Sequence, residues 1–166
     1  MAVKLLVNNL FQSKSQSLVN TVTRRDDMDR GLALEFKKRF PEMYEDFIRR
    51  QRTNKIRVGQ PYVYRYLISW IVNFPMNESW DSEIDLDDVV SGLVFIERHY
   101  VEWGISSLAV PSIGCGKGQL EWSLVGPTLY HYLDRLDIPV ELYAPYGTPQ
   151  EELQHSFLEP MPKETY

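Results

Sequence analysis

The stretch SLAVPSIGCGKGQLEW, residues 107–122, runs an apolar segment into Gly114, Gly116 and Gly118 and then into a helix-forming sequence. A strand, a glycine-rich turn and a helix N-terminus together present backbone N–H groups and the positive end of a helix dipole. That is how a protein holds phosphate with few cationic side chains. Glycine lets the backbone approach a ligand closely, and Lys117 adds one charge at the mouth. The sequence therefore predicts an anion cradle built from the main-chain amides between Ile113 and Gln119. The competing reading is a tight strand-to-helix turn that binds nothing.

Outward from this turn, apolar runs alternate with helical periodicity. Residues 107–110, 140–143, 3–7 and 17–22 read as buried strands, and 62–65 with 68–74 as a possible hairpin. Leu32, Phe36, Phe40, Tyr44, Phe47 and Ile48 fall at helical spacing with Pro41 between two helical pieces. Leu86, Val89, Val90, Leu93, Ile96 and Tyr100 form a further amphipathic helix over 86–103, opened by acidic residues and stopped by Gly104. A helix is expected over 120–136, a short one over 149–157, and polar loops over 23–30 and 75–85. Strands alternating with helices through the second half indicate an α/β domain with helices on both faces of a mixed sheet.

Composition fits one such domain over 1–158, followed by a loosely held tail, EPMPKETY, at 159–166. Of 166 residues, 43% are hydrophobic and 25% charged, which excludes a disordered or fibrous chain. A net charge of −5 argues against a protein that grips duplex nucleic acid by an all-round basic surface, and leaves room for a local basic groove. The lone cysteine, Cys115, permits no internal disulfide and points to a reducing cytoplasm. The chain has no apolar run of membrane-spanning length, so no membrane partner is expected.

LVNTV at 18–22, RGLALEFKKRFPEMYEDF at 30–47, VNFP at 72–75 and SLAVPSIGCGKGQLEW at 107–122 resemble the macrodomain family. Within it they are similar to the branch of DarG-type DNA ADP-ribosyl glycohydrolases and their small stand-alone relatives. The resemblance covers roughly residues 3–155 and implies a three-layer α/β/α sandwich around a central mixed β-sheet. It implies ADP-ribose, or a related nucleotide, lying in a cleft at the strand ends. ADP-ribosylated single-stranded DNA and a toxin partner follow from the same resemblance, in a defence or toxin–antitoxin setting, with no cofactor. Ser112, Ile113, Gly114, Cys115, Gly116, Lys117, Gly118 and Gln119 would embrace the diphosphate and distal ribose. Asn20 would support the first ligand loop. Asn8 or Asn9, following the first strand, would accept the adenine amino group, unless they are plain turn residues.

The chain departs from that pattern where chemistry would occur. The active branch reads like VNTVNCVGVMGKG in its first loop, and this chain reads VNTVTRRDDMDRG at 19–31. Thr23 replaces an asparagine, Asp26 and Asp29 replace glycines, and Arg30 replaces a lysine, while Met28 and Gly31 persist. A branch segment like NFPTKxHW corresponds here to NFPMNESW at 73–80, with Asn77 in place of the lysine implicated in glycosidic cleavage. Thr23, Arg30 and Asn77 are thus the candidate catalytic positions. Threonine offers one hydroxyl in place of an amide's paired donor and acceptor. Asn77 cannot act as a cation, an amine nucleophile or a general acid. The resemblance therefore implies ADP-ribose binding with glycohydrolase activity weakened or altered. Two alternatives stand beside it: an active glycohydrolase that uses a positioned water, and a non-catalytic interaction protein that fills its own cleft with the charged loop.

Three readings of TRRDDMDRG remain open: a solvated loop whose charges pair with one another, a specificity loop whose arginines reach phosphate, and a carboxylate cluster for a divalent cation. No metal-ligand spacing supports the last, and His99, His131 and His155 are scattered. Aspartate at former glycines would strain any position that needs positive φ. Tyr143, Tyr146 and Trp80 are candidate aromatic walls for a base. Cys115 is either a thiol activated at a helix N-terminus or a small packing residue.

Overall fold

The computed structural model describes residues 3–116 and 119–159. Six strands, β1 (Val3–Leu6), β2 (Ser17–Thr23), β3 (Tyr62–Arg65), β4 (Trp70–Asn77), β5 (Leu108–Val110) and β6 (Val140–Tyr143), form one sheet in the order β1-β6-β5-β2-β4-β3. Five run parallel, and β3 pairs antiparallel with β4 at the edge. Helices α1 (Gly31–Arg39) and α2 (Pro41–Arg52) precede β3; α3 (Leu86–Trp103) joins β4 to β5, α4 (Trp122–Leu133) joins β5 to β6, and α5 (His155–Leu158) ends the described chain.

The period-two alternation of each strand feeds two separate cores. Leu18, Val22 and Ile71 pack with Phe36, Met43 and Phe47 of α1 and α2. Val19, Val72 and Phe74 pack with Val89, Leu93 and Ile96 of α3 and with Val125 and Leu129 of α4. This is the three-layer α/β/α sandwich. At Gly92 a Cβ would fall 2.3 Å from Phe74 Cζ, so α3 lies against β4 at a distance that only glycine permits.

Helix α3 matches its sequence-based limits because both ends are chemically marked: Asp85 accepts the Asp87 N–H, and Gly104 closes the helix at φ 87°. Several expectations need correction: the helix expected to reach 136 ends at Leu133, and the one expected over 149–157 is a 3-10 turn at Gln150–Leu153 followed by α5. Helix α4 starts at Trp122, since Leu120 is drawn into a bridge with Cys115 by its N–H bond to the Gly114 carbonyl. The loop expected from residue 75 starts later, because β4 continues through Pro75 to Asn77. Edge strand β3 has already ended beside Asn73, and the Pro75 carbonyl accepts from Gly59 N–H on that side. The missing proline donor therefore faces a direction in which no ladder bond is required.

Connections fix where a ligand can sit. From β2 the chain passes through α1 and α2 on one face, whereas from β5 it passes through α4 on the other. The loops after these adjacent parallel strands diverge and open a crevice at their carboxyl ends. That crevice is the usual ligand position in open α/β sheets.

Candidate functional site

Four loops stand side by side at this edge, in the strand order β6, β5, β2, β4. The loop after β5 and the chain after β6 enclose a cleft of about 420 Å³ lined by Ser112, Cys115, Gly116, Gln119, Trp122 and Pro145. Gly116 is exposed, and a Cβ there would meet nothing within 4 Å among the described residues. Gly114 differs: its φ is 84°, and a Cβ would lie 2.9 Å from Leu120 Cδ1, so glycine is a folding requirement there.

The expected cradle of free amides is narrower than the sequence suggested. Ile113 N–H donates to Pro111, Cys115 to Ser112, Gln119 to Gly116 and Leu120 to Gly114. Among the described residues, the amides of Gly114 and Gly116 are the ones in this turn that meet no acceptor. Ile113 itself is fully buried and serves as core. Lys117 and Gly118 lie outside the described residues. Burial pushes the Cys115 thiol up to about 11, ahead of a small opposing effect of Ser112 and a further rise from Glu121. A raised thiol is the reverse of an activated one, and Cys115 stands half-buried in the cleft lining.

Across the crevice, Thr23 and Asn77 are register partners at the last positions of β2 and β4. Both are buried, at 6% and 4% exposure. Asn77 Nδ2 donates to the Ser82 carbonyl at 2.9 Å, while Asn77 Oδ1 and Thr23 Oγ1 have no protein partner. Two unpaired buried oxygens at one site are unusual, since such groups cost about 1–3 kcal/mol each. Asn20 Oδ1, three residues earlier in β2, is the third buried side-chain oxygen without a protein partner among the described residues. Ile84, from the loop after β4, lies 3.6 Å from where a Cβ on Gly114 would be, so that loop packs against the glycine turn, while Thr23 and Asn77 are not among the residues lining the cleft beside Gly116.

The charged loop 24–30 is held by structure rather than left free. Asp26 accepts N–H bonds from Thr23 at 3.0 Å and Met28 at 2.7 Å, and Gln51 Nε2 donates to the Arg24 and Asp26 carbonyls. Arg24 forks onto Glu78 at 2.9 and 3.1 Å. Arg30 pairs with Asp29 at 3.1 Å and lies 4.2 Å over the Trp80 ring. The reading in which the loop's charges pair with neighbours fits these contacts, and no group of three acidic, His or Cys ligands gathers among the described residues. Positive φ falls on Met28 (54°) and Gly31 (60°), not on Asp26 or Asp29, so the aspartates carry none of the expected backbone strain. Met28 tolerates this φ because its side chain is fully buried and its N–H is tied to Asp26.

Burial raises the Asp26 carboxyl above the ordinary aspartate range, outweighing its two N–H donors, with repulsion from Asp27 and Asp29 adding to the rise. A raised folded value means that the native chain holds this proton more tightly than the unfolded chain. The group's contribution to stability is therefore largest at acid pH and is lost as pH rises through the folded value. Relative to Asp26→Asn, the unaltered chain should gain melting temperature as pH falls from 7 to about 4. A constant difference across that range would show that Asp26 does not titrate in this way.

Other candidates part company. Asn20 is fully buried inside the sheet, with Nδ2 donating to Asn73 Oδ1 at 2.9 Å, and Asn73 in turn donating to the Tyr62 hydroxyl. The side-chain hydrogen bond of Asn20 runs within the sheet to Asn73 and not to the first loop, and Asn20 is not among the residues lining the cleft. Asn9 caps a 3-10 turn at Leu10–Gln12 by accepting the Phe11 N–H, which is the turn role, while Asn8 is exposed. Tyr143 is corrected from an aromatic wall to a core residue at 6% exposure whose hydroxyl donates to Glu141. Tyr146, 78% exposed next to Pro145, keeps an open ring. Gln51 and Glu78, which position the first loop, were not singled out by sequence, because neither carries a motif.

A macro domain family model matches residues 19–129. A fusion protein of DNA ADP-ribosyl transferase and DNA ADP-ribosyl glycohydrolase from Thermosipho africanus is 33% identical over 94% of this chain and 46% of its own length. The DNA ADP-ribosyl glycohydrolase of Mycobacterium tuberculosis is 31% identical over 84% of this chain and 41% of its own. The chain thus spans less than half the length of these curated relatives. Among solved structures, Thermosipho africanus DarTG in complex with ADP-ribose superposes with a TM-score of 0.89 at 34% identity, over 94% of this chain and 45% of that one. The macrodomain of Mycobacterium tuberculosis DarG gives 0.81 at 30% identity, over 86% of this chain and 97% of that one. With the sandwich, the switch-point crevice and the glycine turn in place, the chain belongs to the macro domain family, and its homologues include the DarG macrodomains.

Proposed function

We propose that the chain is an ADP-ribose-binding macrodomain of the DarG type whose glycohydrolase turnover is weakened by its own side chains. The observation that carries this is the crevice itself. Its glycine turn leaves Gly116 exposed beside the cleft, and the ends of β2 and β4 carry Thr23 and Asn77, neither of which offers an ionisable proton, at the positions where the resemblance expects the catalytic asparagine and lysine. The substrate class follows from the DarG relatives: ADP-ribose, free or attached to single-stranded DNA. Ser112, Gly114, Gly116 and Gln119 hold the diphosphate side, with Lys117 and Gly118 completing the turn. Tyr146 is the exposed ring offered to the adenine, with the exposed Asn8 as a polar group for its amino function. Arg30, already stacked on Trp80, stands at the mouth in place of a lysine.

A second reading rests on the unpartnered Thr23 Oγ1 and Asn77 Oδ1. Together they can hold a water near the glycosidic carbon and allow slow hydrolysis through position alone. Incubation with ADP-ribosylated single-stranded oligonucleotide separates the two: little release is expected, and rapid release by the unaltered chain would establish the second reading. The fusion of transferase and glycohydrolase in the Thermosipho relative supports a toxin–antitoxin setting with a transferase as partner. The single cysteine supports a cytoplasmic one. No helix among the described residues is long and apolar enough to cross a membrane.

A further inference from the structure

The net charge of −5 conceals a segregation of charge along the chain. Residues 37–57 hold eight of the 18 Lys and Arg and three of the 23 Asp and Glu, so this segment is net +5 and the remainder −10. Several of these cations have structural duties. Arg50 bonds Asp46 at 2.8 Å and lies 4.1 Å over the Tyr62 ring; Lys37 lies 4.3 Å over Tyr44, and Arg39 lies 4.2 Å over Phe11. Arg49, with 69% of its side chain exposed, has only a loose 3.8 Å contact to Asp46. Arg52, Lys55 and Arg57 are exposed and form no ion pair among the described residues.

These free cations rise from a rigid support. The end of α2 is closed by N–H bonds from Thr53 and Lys55 to the Arg50 carbonyl and from Asn54 to that of Gln51. Ile56, at 2% exposure, anchors the chain between Lys55 and Arg57. Gly59 N–H then ties the segment to Pro75 of β4, and Gln51 ties α2 to the carbonyls of Arg24 and Asp26. The cationic rim is therefore continuous with the loop that forms one lip of the crevice. A shallow groove of about 330 Å³ runs along it, lined by Arg49, Arg50, Thr53 and Lys55 and by the one carboxylate Asp46, which Arg50 holds at 2.8 Å. The loop beyond β4 has the opposite character: residues 78–88 contain six carboxylates and no Lys or Arg.

We propose that Arg49, Arg52, Lys55 and Arg57 form a track for the sugar–phosphate backbone of a single-stranded nucleic acid that delivers its modified nucleotide to the crevice. The proposal rests on the ADP-ribose reading above and assigns the surface that selects the polymer. A few cations on one rim, Arg49 loosely paired and the other three without an ion pair among the described residues, suit a flexible strand, which can follow them and turn away from the carboxylates of 78–88. A rigid duplex laid over the mouth would meet those carboxylates. An anionic membrane fits less well, because none of the large exposed hydrophobic residues, Leu67, Ile68, Trp80, Val101, Leu124 and Tyr146, lies in the cationic segment.

The test is fluorescence anisotropy of a labelled, unmodified single-stranded oligonucleotide across a salt series, with the intact chain and with the triple variant Arg52→Glu, Lys55→Glu, Arg57→Glu. Their side chains form no hydrogen bond or ion pair among the described residues, so melting temperature should hold. The variant should bind about 10-fold or more weakly at low salt, and the slope of log affinity against log salt should fall by about 2, at roughly 0.7 per phosphate contact. Calorimetric binding of free ADP-ribose should be unchanged. If the variant loses DNA while neither chain takes ADP-ribose, the track stands and the nucleotide reading fails. Equal DNA affinity in both chains, no salt-dependent DNA binding by the intact chain, or loss confined to binding of anionic phosphatidylserine vesicles would overturn the proposal.

Discussion

Substituting Asn77 with lysine is expected to raise release of ADP-ribose from ADP-ribosylated single-stranded DNA by about 100-fold, the range that one positioned acid–base or nucleophilic group supplies. Asn77 is the last residue of β4, 4% exposed and in register with Thr23, so a side chain there is buried at the ends of two adjacent parallel strands. Its amide donates to Ser82 and leaves Oδ1 unused. An amine at this depth loses hydration, which lowers its pKa and increases the fraction able to attack or transfer a proton near neutrality. Adding Thr23→Asn should raise release further by restoring an amide donor and acceptor beside it. The variant's hold on ADP-ribose should be checked by calorimetry in parallel. Unchanged release from a variant that still binds ADP-ribose would place the catalytic deficit elsewhere.

Gly116→Trp should weaken ADP-ribose binding by about 100-fold while leaving the melting temperature close to that of the unaltered chain. The combination is diagnostic. Gly116 is exposed, has no positive φ, and faces open space where a Cβ would go, so the fold has no need of glycine there. A large ring in that space would stand in the cleft shared with Ser112, Gln119 and Pro145. Gly114→Ala is the contrast: at φ 84°, with Leu120 Cδ1 2.9 Å away, it should lower stability first and binding only in consequence. Tight binding of ADP-ribose by Gly116→Trp would remove the glycine turn from the ligand site.

Much of this fold could be read from local chemistry. Helix α3 was bounded by an aspartate cap and a left-handed glycine, and the α1–α2 break by Pro41 at the first position of the second helix. The end of β4 could not, because tolerance of Pro75 depends on where neighbouring β3 stops. The site shows the same division. The motif identified the glycine turn, whereas the closure of four of its amides by its own carbonyls is a matter of loop geometry. Thr23 and Asn77 were each visible as departures from a family pattern. Their pairing across two strands, and the oxygens it leaves without partners, are tertiary facts. Tyr143 differs from expectation for a related reason: a tyrosine near a strand end can face a cleft or the core, and here Glu141 on its own strand takes the hydroxyl.

Calorimetric titration of the intact chain with ADP-ribose addresses the central claim most directly. A saturable 1:1 isotherm, at millimolar affinity or tighter, is expected from a crevice with Gly116 exposed beside the cleft and unpaired Thr23 and Asn77 oxygens at the ends of β2 and β4. A flat titration at concentrations where Gly116→Trp is equally silent would mean that the macrodomain scaffold no longer receives the nucleotide, and that the charged loop serves an interaction instead.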